Sequence, residues 1–199
     1  MPAIKHTKNE LKTQRDALVR YERFLPTLQL KKHQLQLEVR RVEAKIEAVR
    51  AEAAAAREEL GRWAGLFCEE HEALDRVRVT AVRRGAANIA GVAIPVFESA
   101  EFAPVAVDLF ATPPWVDDGI AMLERRIRLR IERGVLEEQQ QLLSDELRTT
   151  SQRVNLFEKV KIPEARENIR TIRIFLGDQF TAAVARGKIA KAKAGERAR

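Results

Sequence analysis

The sequence is poor in the residue types on which disulfide-stapled domains and most enzyme sites depend. It holds one cysteine, Cys68, so no internal disulfide is possible and a reducing compartment is expected. We interpret Cys68 either as a reactive thiol or as a small apolar residue beside a helix seam. Aromatic residues make up only 6% of the 199 residues, while 33% are charged, which favours an extended helical protein over a thick globular core.

Further absences exclude whole classes of function. Gly85 and Gly91 fit neither nucleotide-binding glycine pattern, and the three histidines do not pair with Cys68 at metal-ligand spacing. We therefore predict no catalytic residue, no cofactor and no metal site. No run of 18 apolar residues exists, and the N-terminal stretch lacks the apolar core of a signal peptide. A cytoplasmic protein is the expectation.

What the sequence does contain is a long apolar repeat between Asn9 and about Leu74. A capping box, Thr7 to Glu10, precedes it, and Pro26 interrupts it as a predicted kink. Positions seven apart form one column, and a second column lies three residues further on, so that both fall on one side of a helix. Such a stripe needs a partner helix and predicts a coiled-coil seam. The first column reads Leu11, Leu18, Leu25, Lys32, Val39, Ile46, Ala53, Leu60, Phe67 and Leu74, and the second reads Gln14, Tyr21, Leu28, Leu35, Val42, Val49, Ala56, Trp63 and Glu70.

After residue 76 the period changes, and it changes back after residue 116. The stretch between is rich in β-branched residues, Gly and Pro, which predicts two to four short strands with turns at Gly85 and around residues 98–101. A second long helix is predicted from about Asp117 to about Arg186, bent at Pro163. Its predicted seam is less regular and consists of Ile120, Leu123, Ile127, Ile131, Val135, Leu142, Leu143, Leu147, Val154, Phe157, Ile162, Ile169, Ile172 and Leu176.

The predicted fold is mainly α, with two long helices forming an antiparallel coiled coil and a small β-hairpin-containing insert between them. Its parts are an N-terminal helix over 1–76, the insert over 77–116 and a C-terminal helix with a basic tail over 117–199, together one elongated domain. Both termini then lie at one end. Residues 1–20 carry a net charge of +3 and residues 182–199 one of +5, which makes that end basic. Such an end suits nucleic acid, an anionic membrane, an acidic protein socket or a solubilising tail.

Several separated blocks resemble one known family, the D subunit of the bacterial V-type ATPases and ATP synthases. The resemblance covers nearly the whole chain, and its most specific block is Gln152-Arg153-Val154-Asn155-Leu156-Phe157-Glu158-Lys159-Val160-Lys161-Ile162-Pro163. The other blocks are 2–12, 88–95, 169–177 and 186–193.

The resemblance implies a non-catalytic central shaft that couples ATP hydrolysis or synthesis to ion transport by rotating. Its implied partners are a hexamer of catalytic A and nucleotide-binding B subunits around both termini, the F subunit partway along, and the subunit that caps the membrane ring. One copy is implied per complex, peripheral to the membrane and without membrane insertion or nucleic acid.

This resemblance also suggests roles for particular residues. The candidate hexamer contacts are Lys5, Lys8, Arg15, Arg166, Arg170, Arg186 and Lys188. Kinks at Pro26 and Pro163 would make the shaft eccentric. The candidate contacts with the F subunit are Trp63, Phe67, Leu123 and Ile127, for which a place in the seam is the other interpretation.

Two alternatives belong to other classes. A prefoldin-like coiled-coil chaperone would assemble through its strands and hold unfolded clients with exposed apolar tips. A basic coiled-coil nucleic-acid-binding protein would lose affinity steeply with salt, although the basic end lacks the interleaved aromatic residues that stack on bases.

Overall fold

A computed structural model describes residues 4–62, 74, 76–106 and 112–197. Its elements in chain order are α1 (Lys8–Arg62), β1 (Val79–Ile89), β2 (Val92–Phe102), α2 (Trp115–Leu156), a π-helical turn (Phe157–Lys161) and α3 (Ile162–Arg197). The two strands pair antiparallel in a two-stranded sheet. The predicted class, mainly α with a β-hairpin between long helices, is confirmed.

Helix α1 begins where the sequence predicts. The Glu10 backbone N–H donates to Thr7 Oγ1 over 3.2 Å, so Thr7 caps the first turn. The reciprocal half of the predicted capping box is absent, because the Glu10 carboxylate instead accepts a hydrogen bond from Gln14 Nε2 at 2.9 Å. The helix continues without a break through Pro26.

The chain divides into two compact units. The central unit is Lys32–Thr149, and the terminal unit combines Met1–Lys31 with Thr150–Arg199. In the central unit α1 and α2 run antiparallel, since Glu52 accepts from Arg125 at 2.9 Å whereas Glu43 accepts from Gln140 at 3.1 Å. The partner number rises as the α1 number falls.

The core of the central unit follows the predicted α1 columns. The buried residues of α1 are Leu35, Val39, Val42, Ile46, Val49 and Ala56, and every one belongs to a predicted column. They pack with Ile94 of β2 and with Leu129, Leu136 and Leu143 of α2.

The α2 seam agrees with the prediction in part, since the predicted Val135, Leu143 and Val154 are buried. Leu142 is 38% exposed and lies outside the core, whereas Leu143 is fully buried. Leu129 and Leu136, which the prediction omitted, are buried at 6% and 7% exposure. The buried face of α2 also includes two polar residues, Gln139 and Thr150. Because they interrupt the apolar positions, the seven-residue repeat is not visible when only apolar residues are counted.

The hairpin corrects two predicted turns. Gly85 lies inside β1 opposite Val96, and residues 98–101 lie inside β2. The only turn between the strands is Ala90–Gly91, where both residues adopt positive φ, 51° and 83°. Positive φ at both residues is typical of the two-residue loops that join the strands of a β-hairpin. The register shifts between Arg83 and Arg84, which leaves Glu98 on β2 without an opposite residue, as in a β-bulge.

In the terminal unit the N-terminal part of α1 pairs with α3. Arg166 donates to Glu22 at 2.8 Å, and the His6 ring lies 4.8 Å from that of Phe175, so this pair is antiparallel too. The predicted seam on α3 is confirmed at Ile162, Ile169 and Ile172, which are at most 9% exposed.

A π-helical turn stands immediately before Pro163. The Ile162 N–H donates to the Phe157 carbonyl, five residues back, in place of the usual four. Proline has no N–H and crowds the preceding turn of an α-helix, and a wider turn relieves that crowding. The π turn begins six residues before Pro163.

Candidate functional site

The seven predicted hexamer contacts all fall in the terminal unit. Five of them are exposed and have no ion pair within the described part of the chain: Lys5, Lys8, Arg15, Arg186 and Lys188. The other two are engaged within the unit. Arg166 pairs with Glu22 at 2.8 Å and Arg170 approaches Glu167 at 3.9 Å. The five unpaired cations are therefore the more available for a partner.

Exposed apolar side chains are concentrated in the same unit. Of fourteen exposed large apolar residues in the described ranges, ten belong to it: Val19, Phe24, Leu30, Leu156, Val160, Ile174, Phe175, Phe180, Val184 and Ile189. Single exposed apolar residues are ordinary, but the terminal unit is the smaller of the two and carries most of them.

On α1 two of these residues, Val19 and Leu30, share a face with Pro26. Val19, Pro26 and Leu30 recur at steps of seven and four, which places them on one face, and Val19 and Leu30 are 63% and 60% exposed. Lys12, Arg15 and Arg23 fall on the same face at steps of three and four. This face combines apolar and basic groups, and its nearest acid, Asp16, lies at its border.

The end of α3 has no helix against it in the described part of the chain. Every residue from Gly177 to Gly195 is exposed, including Phe180 at 72% and Ile189 at 57%. After Asp178 this stretch holds four basic residues and no acidic one. A bare basic helix with large apolar side chains is suited to insertion into a protein socket.

The π turn contributes one side chain to the packing against α1 and another to the exposed surface. Phe157 contacts Tyr21, with ring centroids 5.2 Å apart, while Val160 is 47% exposed. Lys161 donates to Glu164 at 3.0 Å, and that hydrogen bond raises the pKa of Lys161 above its ordinary value.

The predicted contacts with the F subunit belong to another part of the chain. Leu123 and Ile127 are half-buried on α2 in the central unit, and Trp63 and Phe67 lie outside the described residues, as does Cys68. An open cleft of about 420 Å³ is lined by Ala56 and by Met122, a neighbour of Leu123. The structure thus leaves both interpretations of Leu123 and Ile127 open.

Other kinds of site find no support in the described ranges. They contain no group of three or more His, Cys, Asp or Glu side chains placed to hold a metal ion. None of their helices is long and apolar enough to cross a membrane.

Sequence reasoning missed the exposed apolar residues because it searched only for the seam. Phe180 and Val184 are one helical turn apart, and so are Leu156 and Val160, all outside the predicted seam positions or beyond their end. A second apolar periodicity alongside the first is the signal that could have found them.

These features define a class of protein: a mainly α-helical protein with a β-hairpin between long helices and with exposed apolar and basic groups in its terminal unit. The comparisons make the assignment specific. The family model described as the ATP synthase D subunit matches residues 10–192. A V-type ATP synthase D subunit from Borreliella burgdorferi is 48% identical over 191 residues, which cover 96% of this chain and 95% of the relative. Proteins of the same name from Chlamydia felis and Chlamydia caviae are 34% and 35% identical, each over 98% of this chain and 95% of the relative. The chain belongs to the D-subunit family of V-type ATP synthases.

Proposed function

We propose that this chain is the non-catalytic central-stalk shaft of a V-type ATP synthase. In this role it couples ATP hydrolysis or synthesis to ion transport by rotating as a single copy inside a hexamer of catalytic A and nucleotide-binding B subunits. Family membership supports a place in such a complex. The position within the complex is the part that we propose.

One observation carries the proposal: the terminal unit exposes both unpaired cations and large apolar side chains. Ten large apolar side chains left in water are a cost for the free chain, and burial against a partner removes it. Unpaired Lys8 and Arg15 on α1, Lys5 just before it, and Arg186 and Lys188 on α3 favour an acidic lining on that partner.

The seam suits the transmission of torque. In the central unit Leu35 and Leu143 are fully buried and lie in one continuous core, and interiors packed in this way resist deformation. The surface that would push on the hexamer is irregular, since Pro26 lies in α1 and a π turn precedes Pro163. An irregular surface can contact three otherwise equivalent catalytic interfaces unequally, which a rotary mechanism requires.

The remaining partners are those that the family resemblance implies. The F subunit is proposed to contact the shaft at Leu123 and Ile127, together with Trp63 and Phe67. The subunit that caps the membrane ring is proposed to hold the end opposite the termini. The chain would then be cytoplasmic and peripheral to the membrane.

The test is reconstitution with the A and B subunits, followed by native mass measurement and an ATPase assay on the same fraction. We expect one copy of this chain with three copies of each large subunit. Changing Lys5, Lys8, Arg15, Arg186 and Lys188 to Gln should weaken assembly or ATP-driven rotation. The matched control changes Arg40, Arg130 and Arg148 of the central unit, which are also exposed and unpaired in the described part of the chain, to Gln. Equal effects of the two sets would refute the role assigned to the terminal unit.

One rival receives support from the same surface. Exposed apolar residues near the chain ends are also what a prefoldin-like chaperone would use to hold clients. The same native mass measurement separates the two, because a chaperone would form a small oligomer without ATPase activity. Suppressed aggregation of a denatured client by that oligomer would favour the chaperone.

A further inference from the structure

The two strands of the hairpin differ in how far their outer edges are covered by the rest of the chain. The outer edge of β2 is closed at its middle, where Pro95 has no N–H to offer and its carbonyl accepts a hydrogen bond from Gln139 Nε2 at 2.5 Å. Gln139 is itself 6% exposed, so helix α2 covers this edge. No comparable cover over β1 occurs among the described residues.

The register identifies which β1 groups point outward. Ile89 and Val92 flank the two-residue turn and exchange hydrogen bonds, and pairs then alternate along the ladder. Ala86 falls opposite Pro95 in a pair without hydrogen bonds, as the missing proline N–H requires. By the same alternation the N–H and C=O groups of Arg84, Ala86 and Asn88 point away from β2. No other backbone group in the described ranges bonds to them.

A cleft adjoins this open edge. Across the pair Ala87–Ile94, the Ile94 side chain is buried in the core at 4% exposure, whereas Ala87 is exposed. Ala87 and Ile89 line a cleft of about 670 Å³ with Ala48 of α1. Ile94, Val96 and Phe97 of β2 line the same cleft, so the cleft extends beneath both strands, with the exposed Ala87 on its β1 side.

The cleft has an apolar lining and a charged rim. Lys45 stands at the rim, exposed and without an ion pair in the described part of the chain. The same cleft is also lined by Glu132 and by Glu38, which pairs with Arg41. Strand β1 itself carries Arg83 and Arg84 and no acidic residue. Gly85, Ala86 and Ala87 present almost no side chain to an approaching backbone. The usual protections of an edge strand, proline or inward-pointing charge, are missing from these three positions.

We propose that β1 receives an extended segment of a partner protein as a third strand. The segment's backbone would bond to Arg84, Ala86 and Asn88, its apolar side chains at alternate positions would enter the cleft, and a carboxylate would meet Lys45. A second copy of β1 fits less well, because β1 has no carboxylate to offer Lys45, and its Arg83 and Arg84 are already paired with Glu101 and Glu138 of their own chain. The site belongs to the central unit and does not depend on the function proposed above.

The probe is a synthetic seven-residue peptide, EVTVTVE, blocked at both ends, added to the full chain. Residue-resolved amide exchange by NMR should show fast exchange at Ala86 and Asn88 in the free chain, and slowing of at least about tenfold with saturating peptide. Ala87, already bonded to β2, should change little. Two analogues serve as controls: N-methylation of alternate residues on one peptide edge should abolish the effect, and methylation on the other edge should preserve it.

Two protein variants sharpen the test. Ala86→Pro removes an outward N–H without removing a β1–β2 bond, and should weaken peptide binding roughly tenfold or more. Lys45→Glu leaves the hairpin untouched and should weaken binding roughly threefold to tenfold, whereas Lys45→Arg and Arg40→Glu should not.

Three results would overturn the proposal. The first is unchanged exchange at Ala86 and Asn88 with saturating peptide in the wild-type chain. The second is equal binding by the two methylated analogues. The third is slow exchange at both residues without peptide, accompanied by a doubled mass in sedimentation, because the edge would then be occupied by a second copy.

Discussion

Two adjacent leucines of α2 offer a direct test of where the seam lies. Leu143 is fully buried in the core cluster that also holds Leu35, whereas Leu142 is 38% exposed and absent from it. Leu143→Ala should destabilise the central unit by about 3 kcal/mol, because the deleted atoms lose their burial and leave a cavity. Leu142→Ala should cost about 1 kcal/mol, because much of its side chain already meets water.

Urea unfolding followed by far-UV circular dichroism measures both costs, and thermal unfolding gives a second estimate. At about 2–4 °C per kcal/mol for a chain of this size, Leu143→Ala should lower Tm by roughly 6–12 °C and Leu142→Ala by roughly 2–4 °C. Equal losses for the two variants would refute the assignment of the seam. A double variant with Leu35→Ala should be non-additive, since the two leucines share one core.

Three further predictions concern other contacts. Gln139→Ala should cost about 1–3 kcal/mol in urea unfolding, because it leaves the Pro95 carbonyl unpaired, and Gln140→Ala, which loses only a surface bond to Glu43, should cost less. Ala90→Asn should stabilise the hairpin by about 0.5–1 kcal/mol, because Asn tolerates the positive φ of 51° better than Ala, and a lower urea midpoint would contradict this. Phe180→Ser with Val184→Ser should leave the urea midpoint of the free chain unchanged and reduce its co-purification with the A and B subunits; a fall in the midpoint would show that these side chains already pack within the chain.

The part of the fold that sequence predicts best is the α1 seam. Each of its buried positions from Leu35 to Ala56 is apolar, and the polar residues fall between them. The period is therefore visible without any knowledge of the partner helix. On α2 the same reasoning finds Val135, Leu143 and Val154 but misses Leu129 and Leu136, because Gln139 and Thr150 interrupt the apolar pattern at seam positions. Gln139 is tolerated there because the Pro95 carbonyl, on a strand far away in sequence, accepts its hydrogen bond.

The hairpin shows how tertiary structure overrides local turn signals. Gly85 predicts a turn by its residue type, yet it lies inside β1, paired with Val96. A Cβ at Gly85 would meet only the end of the flexible Glu98 side chain, which can move aside. The actual turn begins at Ala90, whose positive φ is unfavourable for an alanine and which packs partly against the core. No single-residue preference points to that position.

The surface of the terminal unit was the least predictable part, for a thermodynamic reason. The apolar period of a helix reveals the residues that the chain buries in its own core. Residues that a partner would bury cannot be distinguished by this period from ordinary surface residues. The end of α3 is the clearest case, since an isolated helix of such length is marginal in water and Gly177, Gly187 and Gly195 each cost it about 1 kcal/mol relative to alanine. Nothing within the described part of the chain offsets that cost from Gly177 onward, where every side chain through Gly195 is exposed. The stabilisation of this helix must then come from what surrounds it, so burying Phe180, Val184 and Ile189 in a partner would both order the helix and bind it.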